Sequence, residues 1–251
     1  MRFGINSFLF VSPFVTQSTR LFSKFKKWGF DTVELPIEAP EHIDSVKVKK
    51  ALDRAGLACG SVCACMGPGR DFRGSAKDQS EAMKYCKALI DHMVNLGCPS
   101  LIGPVYSVVG KADAVDPKDQ KKEFALVVKN LKVLAAYAEK KGVQICVEPL
   151  NRFETDFLNT CEKGLRLIKA VGSPEAQRWN KAIIGPTDAA LIIVGKVRDV
   201  KQAERQVRQR FGSWSQRSGA DEVRHQPVLA KRSDSVGFEL TKNMRLDLDR
   251  R

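Results

Sequence analysis

Residues 123–148, EFALVVKNLKVLAAYAEKKGVQICVE, contain the pattern that decides the fold. The apolar residues of the first part recur at the 3.6-residue period of an amphipathic helix: Phe124, Val127, Leu131, Leu134 and Ala138. A glycine at 142 follows, which is the usual residue just beyond a helix C-terminus. The β-rich run from Val143 to Glu148 comes next. The stretch therefore predicts a helix, a glycine cap and a strand in direct succession.

The same joint recurs along the first part of the chain. Glycines at 29, 56, 97 and 142 each precede an apolar run, over 31–35, 57–65, 100–103 and 143–148, and a fifth helix ends at Gly172. Units of roughly 35 residues are the scale of a βα repeat. Strand and helix in alternation predict a parallel sheet covered by helices, either doubly wound or closed as a (β/α)₈ barrel.

The composition changes near residue 176. Residues 1–176 contain 19 Lys and 7 Arg, whereas residues 177–251 contain 5 Lys and 11 Arg. We therefore divide the chain into a domain of five βα units over 1–176 and an atypical basic segment over 177–251. In the segment, 183–184 and 191–194 are candidate strands and 196–210 a candidate basic helix, but the barrel pattern does not continue. A fused, frameshifted or rearranged gene end is one hypothesis for this change.

Charge and cysteine content limit the function classes. The formal net charge is +13, and the 75-residue segment carries more than half of it. Nucleic-acid binding is a weak hypothesis, because the Arg-rich segment lacks interleaved aromatic residues. The seven cysteines have no zinc-type CxxC pairs, so we expect reduced thiols and a cytoplasmic location. Apolar runs are far below the roughly 20 residues that span a bilayer, so no membrane partner is expected.

Two carboxylates follow the strand predicted at 143–148. In that strand Val143, Ile145 and Val147 face one way and Glu148 the other, so Glu148 points into a barrel if the apolar set meets the helices. Glu154 lies six residues later in the same polar loop. Barrel enzymes have their sites at this carboxyl end of the strands. A carboxylate there can bind a hard metal ion or remove a proton next to a carbonyl.

Five segments in order resemble the D-tagatose/D-psicose 3-epimerase family. They are GINSF (4–8), WGFDTVE (28–34), SVCACMGPGRD (61–71), SLIGPVY (100–106) and VEPLNRFETDF (147–157). The resemblance covers about residues 1–176. It implies a (β/α)₈ barrel isomerase that exchanges the C3 proton of a free ketohexose through a cis-enediolate, with Mn²⁺, Co²⁺ or Mg²⁺ as cofactor. It also implies a homodimer or homotetramer if the barrel is intact.

The resemblance assigns roles to individual residues. Glu148 matches the metal ligand that is also an acid/base, and Glu154 matches a glutamate that contacts substrate. Four further residues fall in segments that line the sugar pocket: Phe8, Cys65, Gly67 and Gly103. Glu34 ends the second strand, where a site role and a packing or salt-bridge role are both open.

The expected metal ligands of the later strands are not recognisable in their usual sequence surroundings. Asp188, His225 and Glu239 have suitable chemistry and order, and are the remaining ligand candidates. The alternatives are a catalytically inactive incomplete barrel and a related isomerase of small hydroxy-carbonyl compounds. A nuclease resembling endonuclease IV needs several histidines around a metal cluster, and three histidines at unsuitable places exclude it.

Overall fold

Five parallel strands form the centre of the molecule. The computed structural model describes residues 2–113, 116–172 and 191–194. The parallel strands are β1 (Arg2–Asn6), β2 (Thr32–Ile37), β3 (Ala58–Ala64), β4 (Ser100–Gly103) and β5 (Gln144–Val147). A sixth described strand, β6 (Leu191–Val194), is antiparallel to β1. Their order in the sheet is β5-β4-β3-β2-β1-β6. Consecutive strands from β1 to β5 pair in parallel, as the repeated helix–glycine–strand joint predicted.

A helix follows each parallel strand. The helices are α1 (Phe22–Lys27), α2 (Ser45–Ala55), α3 (Ala76–Leu96), α4 (Pro117–Lys140) and α5 (Cys161–Val171), and 3₁₀ turns span Ser7–Leu9, Thr16–Leu21 and Pro40–His42. Each helix buries its apolar face against the sheet in one continuous core, through Phe25, Leu52, Leu89, Leu134 and Leu167, among others. No helix among the described residues combines the length and apolarity that crossing a membrane requires.

The helix ends explain why the glycine positions were informative. All five joint glycines, at 29, 56, 97, 142 and 172, have a positive φ between 62° and 95°. A residue with a Cβ adopts this conformation only at a cost, so the chain turns from helix to strand where glycine stands. The N-terminus of α5 differs from expectation. Asn159 followed three residues later by Glu162 is a sequence pattern that predicts a capping pair, but Thr160 is the cap and accepts a hydrogen bond from the amide of Lys163.

The two edges of the sheet differ. At one edge β6 pairs with β1, but antiparallel, with Arg2 opposite Val194 and Ile5 opposite Leu191. The candidate strand at 191–194 is therefore confirmed as a strand. At the other edge, no described strand pairs with the outer side of β5. The candidates at 183–184 and 196–210, and Asp188, His225 and Glu239, lie outside the described residues.

A groove runs along β5 between α4 and α5. Val143, Ile145 and Val147 line it, together with apolar side chains of both helices. The predicted orientation of this strand is thus confirmed, because its odd-numbered residues face the helices.

Candidate active site

Glu148 lies at the carboxyl end of β5 and is held there by its backbone. Its amide donates to the carbonyl of Gly103 at the end of β4, at 3.1 Å. Its carbonyl accepts from the hydroxyl of Tyr106, which is fully buried, at 2.9 Å. The main chain at Glu148 is therefore fixed to the neighbouring strand and loop, and the side chain starts from a defined point on the rim of the sheet.

Glu34 is the second carboxylate on the same side of the sheet. It is 4% exposed and lies inside β2, which continues to Ile37, so the prediction that Glu34 ends this strand is wrong. One carboxylate oxygen accepts from the side-chain amide of Asn6 at 2.8 Å, and the other accepts from the hydroxyl of Ser61 at 2.6 Å. Asn6 ends β1 and Ser61 lies in β3, so Glu34 connects three adjacent strands. The structure thus gives Glu34 a hydrogen-bonding role rather than the salt bridge that the sequence left open.

Both carboxyl groups titrate near neutrality. Burial raises the pKa of Glu34 from 4.5 to about 7; the hydrogen bond from Ser61 opposes this rise, and the charge of Glu148 adds to it. Burial raises the pKa of Glu148 from 4.5 to about 7 as well, with a further contribution from the charge of Glu154. A carboxyl group with a pKa close to the ambient pH can both accept and donate a proton, which suits general acid–base catalysis.

Glu154 stands in the loop after β5, close enough for its charge to act on Glu148. The loop has a defined shape, since its backbone carbonyl at Glu154 accepts from the amide of Gly110 at 2.7 Å and Asn151 donates to its carboxylate. A backbone bridge between Lys111 and Thr155 joins it again to the loop after β4. The structure therefore places Glu154 close enough to Glu148 for their charges to interact, and the roles of both residues toward metal and substrate stay predictions.

The other predicted pocket residues lie at the ends of β1, β3 and β4. Phe8 is in the 3₁₀ turn after β1 and is 47% exposed. The amide of Cys65 donates to the hydroxyl of Tyr85 at 2.8 Å, which fixes the end of β3. Gly67 has open space where a Cβ would point. These positions match the predicted rim, and their contact with substrate remains a prediction.

Strand packing explains why residue 103 is a glycine. Its φ is +115°, and a Cβ built on it would approach the carbonyl oxygen of Ala64 to 3.0 Å. Only glycine accommodates both the backbone conformation and this close approach of β3 to β4. Glycine at this position is therefore explained by the sheet before any substrate is considered.

Cys63 lies in β3 and Cys65 just after it, and their spacing of two residues allows either a soft-metal site or small thiols that fill the interior. A hydrogen bond with Cys65 and burial raise the pKa of Cys63 well above its usual value. Among the described residues, no further His, Cys, Asp or Glu side chain joins the two thiols in a group of three that could hold a metal ion. The structure therefore favours the interpretation of small thiols that fill the interior.

Sequence inspection missed a charged network beneath the rim. Arg73 is 5% exposed and forms ion pairs of 2.7 Å with both Glu123 and Asp156. Lys111 adds contacts of 3.3 Å to Glu123 and Asp71. The network joins the loops after β3, β4 and β5 to α4. Its one sequence signal is an arginine two residues after an aspartate in the segment 71–73, which does not reveal the partners.

The described residues do not bring three metal-binding side chains together. Catalytic zinc sites have three protein ligands, whereas Mg²⁺ is bound through one or two carboxylates and water. In residues 2–113 and 116–172, no group of three His, Cys, Asp or Glu side chains is placed to hold an ion. Glu148 is the oxygen donor at the expected place, and the other candidates, Asp188, His225 and Glu239, lie outside the described residues.

Comparisons with known proteins indicate one fold family. A family model described as xylose isomerase-like TIM barrel matches residues 22–177. A probable ketose 3-epimerase from Synechocystis is 29% identical over 178 residues, which are 70% of this chain and 60% of that protein. A D-psicose 3-epimerase from Agrobacterium fabrum is 26% identical over 158 residues, which are 59% of this chain and 52% of that protein.

A solved structure shows the same fold. The D-allulose 3-epimerase from Methylomonas sp., in complex with D-allulose, gives a TM-score of 0.63 at 23% identity, over 68% of this chain and 59% of that chain. The predicted TIM-barrel fold class is thereby confirmed. The chain spans between 52% and 60% of the length of the curated relatives above.

Proposed function

Since the chain belongs to the xylose isomerase-like TIM barrel family, we propose that it is a sugar isomerase in which Glu148 exchanges the proton next to a ketose carbonyl. The observation that carries this proposal is a carboxyl group at the carboxyl end of β5 whose pKa is raised to about 7. In barrel enzymes this end of the strands is where substrates react. The similarity to ketose 3-epimerases makes free ketohexoses the substrate class to test first.

Removal of the proton next to the carbonyl requires a base of intermediate strength. The proton on the carbon beside a carbonyl is weakly acidic, and a base with a pKa near the working pH combines availability with driving force. Return of a proton from the opposite face would invert C3. That step requires a second acid on the opposite face of the substrate; Asp188, His225 and Glu239 are candidate metal ligands.

The cofactor and the assembly belong to the same proposal. A divalent ion, Mn²⁺, Co²⁺ or Mg²⁺, would stabilise the negative charge that develops on the substrate oxygens when bound. Glu148 is the one ligand that the described residues supply for it. A homodimer or homotetramer is the assembly that we expect of an intact barrel.

Proton exchange in D₂O tests the proposal directly. D-fructose, D-tagatose and D-psicose are incubated with the purified chain and each ion, and deuterium at C3 is followed by NMR. Glu148→Gln keeps the shape but cannot accept the proton, so we expect exchange to fall by about 10²- to 10⁴-fold. Glu41→Gln makes the same change at an exposed carboxylate and should leave exchange unaltered. A folded wild-type chain without exchange, or Glu148→Gln with normal exchange, contradicts the proposal.

One observation favours a second candidate function. The outer edge of β5 has no described strand beside it, and the groove along it is lined by apolar side chains. A sheet edge without a partner strand and an apolar groove, as found in the described part of the chain, are typical of a binding surface. The second candidate is therefore a catalytically inactive, incomplete barrel. A related isomerase acting on small hydroxy-carbonyl compounds remains a third, and the same exchange assay with such compounds distinguishes it.

A further inference from the structure

The turn that carries Phe8 is attached to Glu34 at two points. The side-chain carbonyl of Asn6 accepts from the amide of Phe8 at 2.8 Å, and its amide group donates to the Glu34 carboxylate at 2.8 Å. The hydroxyl of Ser7 donates to the backbone carbonyl of Glu34 at 2.8 Å. Asn6 is also the N-terminal cap of the 3₁₀ turn Ser7–Leu9. The side chain of Asn6 is thereby oriented from one end by Glu34 and orients Phe8 at the other.

The arrangement is buried on one side and open on the other. Glu34 is 4% exposed and Ser7 is fully buried, whereas Phe8 is 47% exposed at the carboxyl end of β1. Ser61 holds the second carboxylate oxygen at 2.6 Å, so Glu34 cannot follow Asn6 if the turn moves. The buried carboxylate of Glu34 is therefore joined through the side chain of Asn6 to the backbone amide of Phe8, whose ring is exposed on the rim.

We infer that Glu34 is a positioning residue that acts through Asn6 to hold Phe8 over the substrate site. The inference extends the proposed function, because Phe8 matters for sugar binding only if a sugar binds here. An aromatic ring on the rim presents an apolar face to the C–H side of a sugar, and its benefit depends on a fixed orientation. Glu34 itself does not contact substrate in this role.

Amide hydrogen exchange tests the anchor without any activity. Asn6→Ala and Glu34→Ala should each raise the exchange rate of the Phe8 amide by about two- to tenfold, the worth of one hydrogen bond. Glu34→Gln should restore slow exchange, because the glutamine carbonyl can accept from Asn6 and its amide can donate to Ser61. Asp31→Ala is the matched control, since it removes a carboxylate that accepts from the amide of Phe3 at the other end of β1.

Substrate kinetics test the effect on the site. Glu34→Ala should raise KM for the ketose by more than it lowers kcat, and should have little further effect when Phe8→Ala is already present. Effects that add fully in the double variant would overturn the inference, because Glu34 would then act independently of Phe8.

Different results would contradict the proposed function and the inference about Glu34. If the wild-type chain turns over no ketose, the proposed function is wrong, and exchange at Phe8 still decides whether Glu34 anchors the turn. If the Phe8 amide exchanges equally fast in the wild type and in Glu34→Ala, the anchor does not exist and the inference is wrong. A purely structural role predicts that Asp31→Ala and Glu34→Ala accelerate Phe8 exchange alike, which would also contradict it.

Discussion

Replacement of Glu34 by glutamine should make the protein more resistant to unfolding at alkaline pH than the wild type. Burial, with a contribution from the charge of Glu148, raises the pKa of Glu34 to about 7. The folded pKa thus lies above the unfolded value of 4.5, so the folded state binds the proton more tightly. The stabilisation is complete below pH 4.5 and is lost as the pH rises to about 7. Glutamine resembles the protonated carboxyl at every pH.

The magnitude follows from the difference between the two pKa values. At about 1.4 kcal/mol per pKa unit, ionisation of the buried Glu34 costs the folded wild type about 3 kcal/mol by pH 8. The difference in the free energy of unfolding between Glu34→Gln and the wild type should therefore grow by up to this amount between pH 4.5 and pH 8. Contributions from other titrating groups occur in both proteins and largely cancel.

Urea unfolding followed by circular dichroism at a series of pH values measures this difference. Glu41→Gln is the control, because that carboxylate is exposed and its variant should run parallel to the wild type. If the curves for Glu34→Gln and the wild type also run parallel from pH 4.5 to pH 8, the carboxyl at Glu34 is not buried as described. A difference that shrinks with rising pH would contradict the sign of the argument.

Two further substitutions test the rim of the sheet. Gly103→Ala should lower the free energy of unfolding by about 2 to 4 kcal/mol, since it combines a positive φ with a Cβ only 3.0 Å from the carbonyl oxygen of Ala64; thermal unfolding measures the loss, and an unchanged midpoint would disprove the close approach. Arg73→Met should cost about 3 to 5 kcal/mol at pH 7, because Glu123 loses a partner in a largely buried site; the cost should shrink when Glu123→Gln is added, and full additivity would argue against the ion pair.

The βα organisation was predictable because its signals are local. A helix period, a glycine just beyond the helix and an apolar run occupy adjacent positions in the chain, and local sterics at the glycine determine the turn. The prediction that Asn159 caps α5 was wrong because local signals alone do not decide between two neighbouring cap residues. Asn159 and Thr160 are both good N-terminal caps, and the choice depends on tertiary contacts: Asn159 donates instead to the carbonyls of Leu150 and Thr155.

The partners of the site residues were not predictable. Glu34 meets Asn6 and Ser61 through strand pairing, at separations of 28 and 27 residues, and a register shift lies between Val33 and Glu34 in its pairing with β3. Arg73 reaches Glu123 across 50 residues. Single-sequence patterns indicate which residues end strands, but the sheet register decides which of them touch.

The pairing at the two edges of the sheet differs from that of a closed barrel, and this difference bears on activity. In a closed (β/α)₈ barrel, β1 has a parallel neighbour on each side. Here Leu191–Val194 takes the second side of β1, antiparallel, so a parallel closing strand could join β1 only by displacing it. The outer side of β5 has no described partner strand. Glu148 and Phe8 lie just after the carboxyl ends of β5 and β1, whereas neither edge of the described sheet shows the pairing of a closed barrel. Proton exchange at Glu148 is therefore the measurement that separates an unusual but complete site from a barrel that has kept its fold and lost its reaction.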